Sequence, residues 1–124
     1  MIKVKKFIQD CKLVEELDNI ENTNYNITTH DFYNITSMLK YYDYNMTVTS
    51  TLQNMYFQRI ENIKSVSHTR EIFRLHIDND TYLSYRSKNI KSINCELVDE
   101  NLDILSLTIF YKNGLVVNIE IEFN

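Results

Sequence analysis

The sequence predicts an α+β domain: two or three N-terminal helices packed on a five- to six-stranded, mostly antiparallel meander sheet. Three observations carry this expectation. Apolar residues recur at helical spacing through residues 1–60, the half expected to be mainly helical. From about Ile63 onward the period becomes the two-residue alternation of strands, so residues 61–124 are expected to be mainly antiparallel strands. Asn113-Gly114 then sits between two apolar runs, as a two-residue hairpin turn does.

The first helix rests on Val4, Phe7, Ile8, Cys11 and Val14, spaced three and four apart and so on one face, with Leu17 and Ile20 extending the stripe. Lys3, Lys5 and Lys6 oppose the dipole at its N-terminus, which predicts a frayed first turn. The Asn- and Thr-rich stretch 21–28 reads as a loop. Thr28, three residues before Asp31, is placed to cap a second helix over about 29–42, carried by Phe32, Ile35, Leu39 and Tyr42. Ser50 with Gln53 repeats the capping pattern, and Leu52, Met55, Tyr56 and Ile60 fit a short third helix; Thr47-Val48-Thr49 fits a strand as the competing reading.

Among the strands, Phe73, Leu75 and Ile77 alternate with Arg74 and His76. After a turn near 78–80, Leu83 and Tyr85 alternate with Tyr82, Ser84 and Arg86. A three-residue loop pairs Leu75 with Leu83 and Phe73 with Tyr85, giving an apolar face and a face of Arg74, His76, Tyr82 and Arg86. Ile93, Cys95 and Leu97 mark another strand. A two-residue turn at Asn113-Gly114 pairs Phe110 with Val117, Thr108 with Ile119 and Ile104 with Phe123, so Leu105, Leu107 and Ile109 fall opposite the core and need a cover. Asn62-Ile63-Lys64-Ser65-Val66 is echoed by Asn89-Ile90-Lys91-Ser92-Ile93, as two three-stranded meanders in series would be.

Composition bounds the class. The 124 residues suit one domain with its own core, and 44% hydrophobic content with nine Tyr and six Phe argues against disorder. The chain has no Ala, Pro or Trp and one Gly, while Asn and Ile make up roughly a quarter of it. The missing residues have GC-rich codons and the abundant ones AT-rich codons, which points to an AT-rich and mobile gene. No apolar run is long enough to span a bilayer and no signal peptide is recognisable, so a cytoplasmic protein is expected. Cys11 and Cys95 read as reduced core thiols. The Asn-x-Thr triplets at Asn26, Asn34 and Asn45 read as chance in so Asn-rich a chain.

Charge is unevenly spread: net −2 over residues 1–58, +3 over 59–91 and −5 over 92–124. A lone Gly excludes glycine-rich phosphate loops, and no Gly-x-Ser-x-Gly elbow is present. His30, His68, His76, Cys11 and Cys95 make no recognised zinc spacing, so neither metal nor cofactor is expected. These absences, the acidic C-terminal third and the gene type lead to a non-enzymatic inhibitor. An immunity protein, antitoxin or phage anti-defence protein would cover the basic, nucleic-acid-binding surface of a partner protein with Asp99, Glu100, Asp103, Glu120 and Glu122, acting as monomer or homodimer. Two alternatives stand beside it. A nucleic-acid-binding module would use the face of Arg74, His76, Tyr82 and Arg86, although an acidic chain without an RNP-like motif argues against direct nucleic-acid binding. A small-ligand-binding or enzymatic α+β domain, of the order shared by NTF2-like proteins, would have a polar pocket between helices and sheet around His68 or His76.

Overall fold

The computed structural model describes residues 2–13, 24–52, 56–98 and 103–124. Helix α1 (Ile2–Asp10) is followed by strand β1 (Asn24–Ile27), helix α2 (Thr29–Met38) and a single 3-10 turn (Leu39–Tyr41). Then come β2 (Tyr44–Leu52), β3 (Tyr56–Ile60), β4 (Ser65–His68), β5 (Ile72–His76), β6 (Tyr82–Arg86), β7 (Ile90–Val98), β8 (Ile104–Tyr111) and β9 (Leu115–Phe123). Strands β1-β7-β8-β9-β2-β3 form one antiparallel sheet in that order, and β4-β5-β6 form a second.

The expected five- to six-stranded sheet therefore becomes nine strands in two sheets with two described α-helices. The extra strands come from the half expected to be mainly helical. Residues 24–27, expected as loop, pair with β7 as its edge partner, Tyr25 opposite Cys95. The third helix is replaced by β2 and β3. Met46, Val48 and Ser50 are buried in alternation, and the β-branched Thr and Val between 47 and 51 favour the pleated chain. The helical reading of Leu52, Tyr56 and Ile60 rested on spacing and on the Ser50–Gln53 capping pattern; sheet pairing overrode both, and the competing strand at Thr47-Val48-Thr49 is the one found. Gln53 and Met55 of the helical reading lie outside the described residues, as do Val14, Leu17 and Ile20 of the first helix.

The two helices follow their apolar stripes. Val4, Phe7, Ile8 and Cys11 are buried along α1, and the Phe7 ring meets Tyr42 edge-on at 5.0 Å and Phe123 at 4.8 Å. The first turn is held despite its lysines, because Asp103 Oδ1 accepts from the Val4 amide at 3.4 Å, an anion at the positive end of the helix. Desolvation of Asp103 opposes its charge, but the hydrogen bonds from the Val4 and Lys3 amides hold its pKa below the ordinary value. Thr28 Oγ1 accepts from the Asp31 amide at 3.1 Å, the anticipated cap of α2, and Phe32, Ile35 and Leu39 face the core.

The last hairpin corrects the expected register by one residue. Lys112, Asn113 and Gly114 form a three-residue loop in which the Gly114 amide donates to the Tyr111 carbonyl at 3.1 Å and the Leu115 amide to Asn113 Oδ1 at 3.0 Å. Gly114 takes the positive φ (91°) and Asn113 does not, so this is the longer turn ending in a left-handed residue. Phe110 consequently pairs with Val116, Thr108 with Asn118 and Ile104 with Glu122. One residue of slip moves a strand's whole apolar set to the other face. Leu105, Leu107 and Ile109 join Val117, Ile119 and Ile121 in the core, and the acidic face needs no apolar cover. The hairpin of β5 and β6 has the anticipated register, with Phe73 opposite Tyr85 and Leu75 opposite Leu83. The repeated Asn-Ile-Lys-Ser segments each lead into a three-stranded meander, β4-β5-β6 and β7-β8-β9, and each Asn is left-handed (Asn62 φ 59°, Asn89 φ 70°).

Replacing Gly114 by Val should lower stability by about 1 kcal/mol or more, because a β-branched residue resists positive φ; chemical denaturation of the two proteins measures it. Cys11 and Cys95 are free and buried, and burial pushes both thiols up to about 12. Thiol reagents should label neither at neutral pH until denaturant is added; rapid labelling of the native protein would contradict this burial.

Candidate functional site

Sheet β4-β5-β6 turns one face inward. His68, Phe73 and Tyr85 are register partners across its three strands and share that face. Their rings form a column: His68 stacks on Phe73 at 6.0 Å with 28° between planes, and Phe73 on Tyr85 at 5.2 Å with 20°. The Tyr85 hydroxyl and Ser50 Oγ lie 2.7 Å apart, tying the column to β2 of the large sheet. Helix α2 closes on the other side. Phe32 meets Phe73 edge-on at 5.1 Å, and Tyr33 meets His68 edge-on at 4.7 Å.

Where this packing ends, a cleft of about 1120 Å³ opens between the start of α2 and the ends of β4 and β6. Its apolar wall is Phe32, Tyr33, Ile72 and Ile90. Its polar side carries His30, His68, Arg70, Arg86 and Lys88, with Glu71 as the one carboxylate among the lining residues. The Tyr111 hydroxyl donates to the Arg86 carbonyl at 2.7 Å, and the Ser87 amide to the Glu71 carbonyl at 2.7 Å, so backbone bonds fix the segment presenting Arg86 and Lys88.

His68 is the chemically distinctive group. It is half-buried, and desolvation lowers its pKa below the ordinary value although the Thr69 carbonyl opposes the shift. Nδ1 bonds that carbonyl, which assigns the proton to Nδ1. Nε2 has no hydrogen-bond partner among the described residues and keeps its lone pair. A carbonyl fixing the tautomer of a neutral imidazole is the arrangement found behind metal-ligating histidines. No cluster of three or more His, Cys, Asp or Glu side chains stands ready to hold a free metal ion among the described residues.

The chain covered by this fold has known counterparts. Two solved structures are similar: one described as the crystal structure of ChuX (TM-score 0.56, 15% identity, 94% of this chain and 82% of that one), the other as the structure of the heme-binding protein ChuX (TM-score 0.51, 14% identity, 93% and 83%). The chain shares its fold with ChuX. No family model matches it, and no curated protein matches it. Neither structure is described as an enzyme, an inhibitor, an immunity protein, an antitoxin or a phage protein. The inhibitor reading is accordingly corrected: one of the two proteins of like fold is described as heme-binding, and the concavity here is basic and aromatic.

Three of the five residues assigned to an acidic docking surface lie among the described residues. Glu120 and Glu122 are exposed on the outer face of β9, and Asp103 is turned to the N-terminus of α1. Asp99 and Glu100 lie outside the described residues. Arg74, His76 and Tyr82 do come together on the outer face of the small sheet, with the Arg74 guanidinium 4.9 Å from the Tyr82 ring centre and Ser67 Oγ 2.8 Å from His76 Nε2. Of that group Arg86 alone reaches the cleft. The pocket anticipated around His68 or His76 is found at His68. Tyr33, Arg70 and Lys88 were not singled out from sequence, yet the net charge of +3 over residues 59–91 marked the stretch that supplies three of the cleft's cations.

The lowered pKa of His68 has a definite sign in stability. Its contribution is fully present above the unfolded-state value and is lost as pH falls, because the unfolded chain takes up the proton more readily. Stability should therefore rise with pH through the ordinary imidazole range, and His68→Phe should flatten that rise. Denaturant midpoints of both proteins across this range measure it; equal slopes would show that His68 is not held neutral.

Proposed function

We propose that this chain binds heme, a planar apolar ring edged by carboxylates, in the cleft between α2 and the small sheet. The observation that carries the reading is His68: a neutral imidazole with Nε2 unpartnered, set in an aromatic wall at the rim of a basic cleft. Heme iron supplies the coordination position that such a nitrogen fills. The remaining donors suit the remaining parts of the ligand. Tyr33, Ile72 and Ile90 offer apolar surface to the ring, and Arg70, Arg86 and Lys88 offer cations to its carboxylates. The volume of about 1120 Å³ lies just above the range of ordinary small-ligand sites, room enough for a large planar ligand. The fold shared with a heme-binding protein adds support. The buried thiols suit a reducing compartment, and we place the protein in the cytoplasm on that ground.

Hemin titrated into the protein should produce a saturable shift of its Soret absorbance. His68→Ala should weaken binding about tenfold or more and alter the spectrum, given the tenfold to hundredfold losses seen on disturbing metal–imidazole sites. Arg86→Gln should weaken binding without altering the spectrum, since it removes a carboxylate partner and no iron ligand. Hemin binding that is unsaturable, or indifferent to His68, would overturn the reading.

A further inference from the structure

The outer face of the small sheet joins the cleft at Arg86, which belongs to both. Arg74, Tyr82 and Arg86 are exposed on that face, and Arg70 and Lys88 stand exposed at the adjoining cleft mouth. Tyr82 retains 48% of its surface although Arg74 lies against its ring. Glu71 is the carboxylate beside these cations, while Asp78 and Asp80 occupy the far turn of the hairpin. The acidic side chains Glu96, Glu120 and Glu122 are instead exposed on the large sheet. The large sheet also exposes Arg59 and Lys91 on its strands, but the cations concentrate around the cleft mouth, where Arg70, Arg86 and Lys88 face one carboxylate.

From this juxtaposition we propose that the face of Arg74, Tyr82 and Arg86 docks on the anionic surface of a lipid bilayer, bringing the cleft mouth to the membrane. The contact is peripheral; no described helix is long and apolar enough to cross a membrane. Arg and Lys within a Debye length of anionic headgroups are drawn to them, and an exposed Tyr suits the interface because its ring is apolar and its tip polar. A lone exposed aromatic braced by an arginine favours this occupant over a single-stranded nucleic acid, whose bases need a succession of open rings to stack on. The inference rests on the heme reading for its purpose only: an apolar ring edged by carboxylates partitions into bilayers, and a cleft opening there meets it directly.

The test uses ligand-free protein and two vesicle preparations, phosphatidylcholine alone and an equal mixture with phosphatidylglycerol. The wild type should sediment with the anionic vesicles at low salt and be released by high salt. Arg74→Gln combined with Tyr82→Ser should lower the partition coefficient about tenfold, while hemin titration of the same variant stays as in wild type, since neither residue lines the cleft. A circular dichroism spectrum and melting curve matching wild type establish that the variant is folded; if it is not, Arg74→Gln alone should give a smaller fall in the same direction. No sedimentation with anionic vesicles, or sedimentation unchanged by the substitutions, overturns the proposal. So does retention of single-stranded RNA, through these residues, by a protein that ignores vesicles. Vesicle binding without hemin binding would leave the docking intact and remove the heme reading.

Discussion

Phe73 is the constraint on which the rest of the site depends. It is wholly buried, and three other rings are fixed against it: His68 and Tyr85 above and below, Phe32 at its edge. Burial of one large aromatic is worth a few kcal/mol on area alone, and ring pairs add to this. The contact does more than stabilise. It joins the small sheet to α2, and through Tyr85 and Ser50 to the large sheet. A row of three residues, one per strand, thereby sets the depth at which His68 sits and hence how far its charge is disfavoured.

The division of labour between sheets follows. The six-stranded sheet carries most of the buried apolar residues, and its outer face combines hydroxyl, amide and carboxylate groups with the exposed rings of Phe57 and Phe110; there Asn118 Nδ2 bridges Ser106 and Thr108 at 2.9 Å each. The small sheet buries one side on α2 and leaves its margin open where α2 begins. A cleft forms there because the helix starts just after β1 and cannot cover the ends of β4 and β6.

Much of this was legible in the sequence and some was hidden for identifiable reasons. The α1 stripe, the Thr28 cap and the Phe73–Tyr85 register follow from spacing within a short stretch of chain, where local geometry decides. The strands β1 and β3 do not, and β2 showed only as the competing reading of Thr47-Val48-Thr49: Asn24–Ile27 is half-exposed and short, and it becomes a strand by pairing with β7 some seventy residues later. The one-residue slip at Asn113-Gly114 has the same origin. A local signal allowed two turn lengths, and the choice fell to the burial of Leu105, Leu107 and Ile109. The cleft was half visible. His68 and the basic middle stretch could be noticed, but His68 could not be told from His76 until strand pairing turned one inward and the other out. An acidic C-terminal third drew the functional reading toward carboxylates, although total charge does not say which surface is concave.

Asn62 and Asn89 hold left-handed backbone where glycine would ordinarily be expected, in a chain with a single glycine. Nucleotide bias can therefore rewrite such turns without altering their geometry, since asparagine's short amide side chain tolerates the same conformation. A gene of balanced base content would be free to use glycine at both places. Sequence identity would then be lost at positions whose backbone is unchanged, and kinship between such proteins would survive in their shape long after it had left their alphabet.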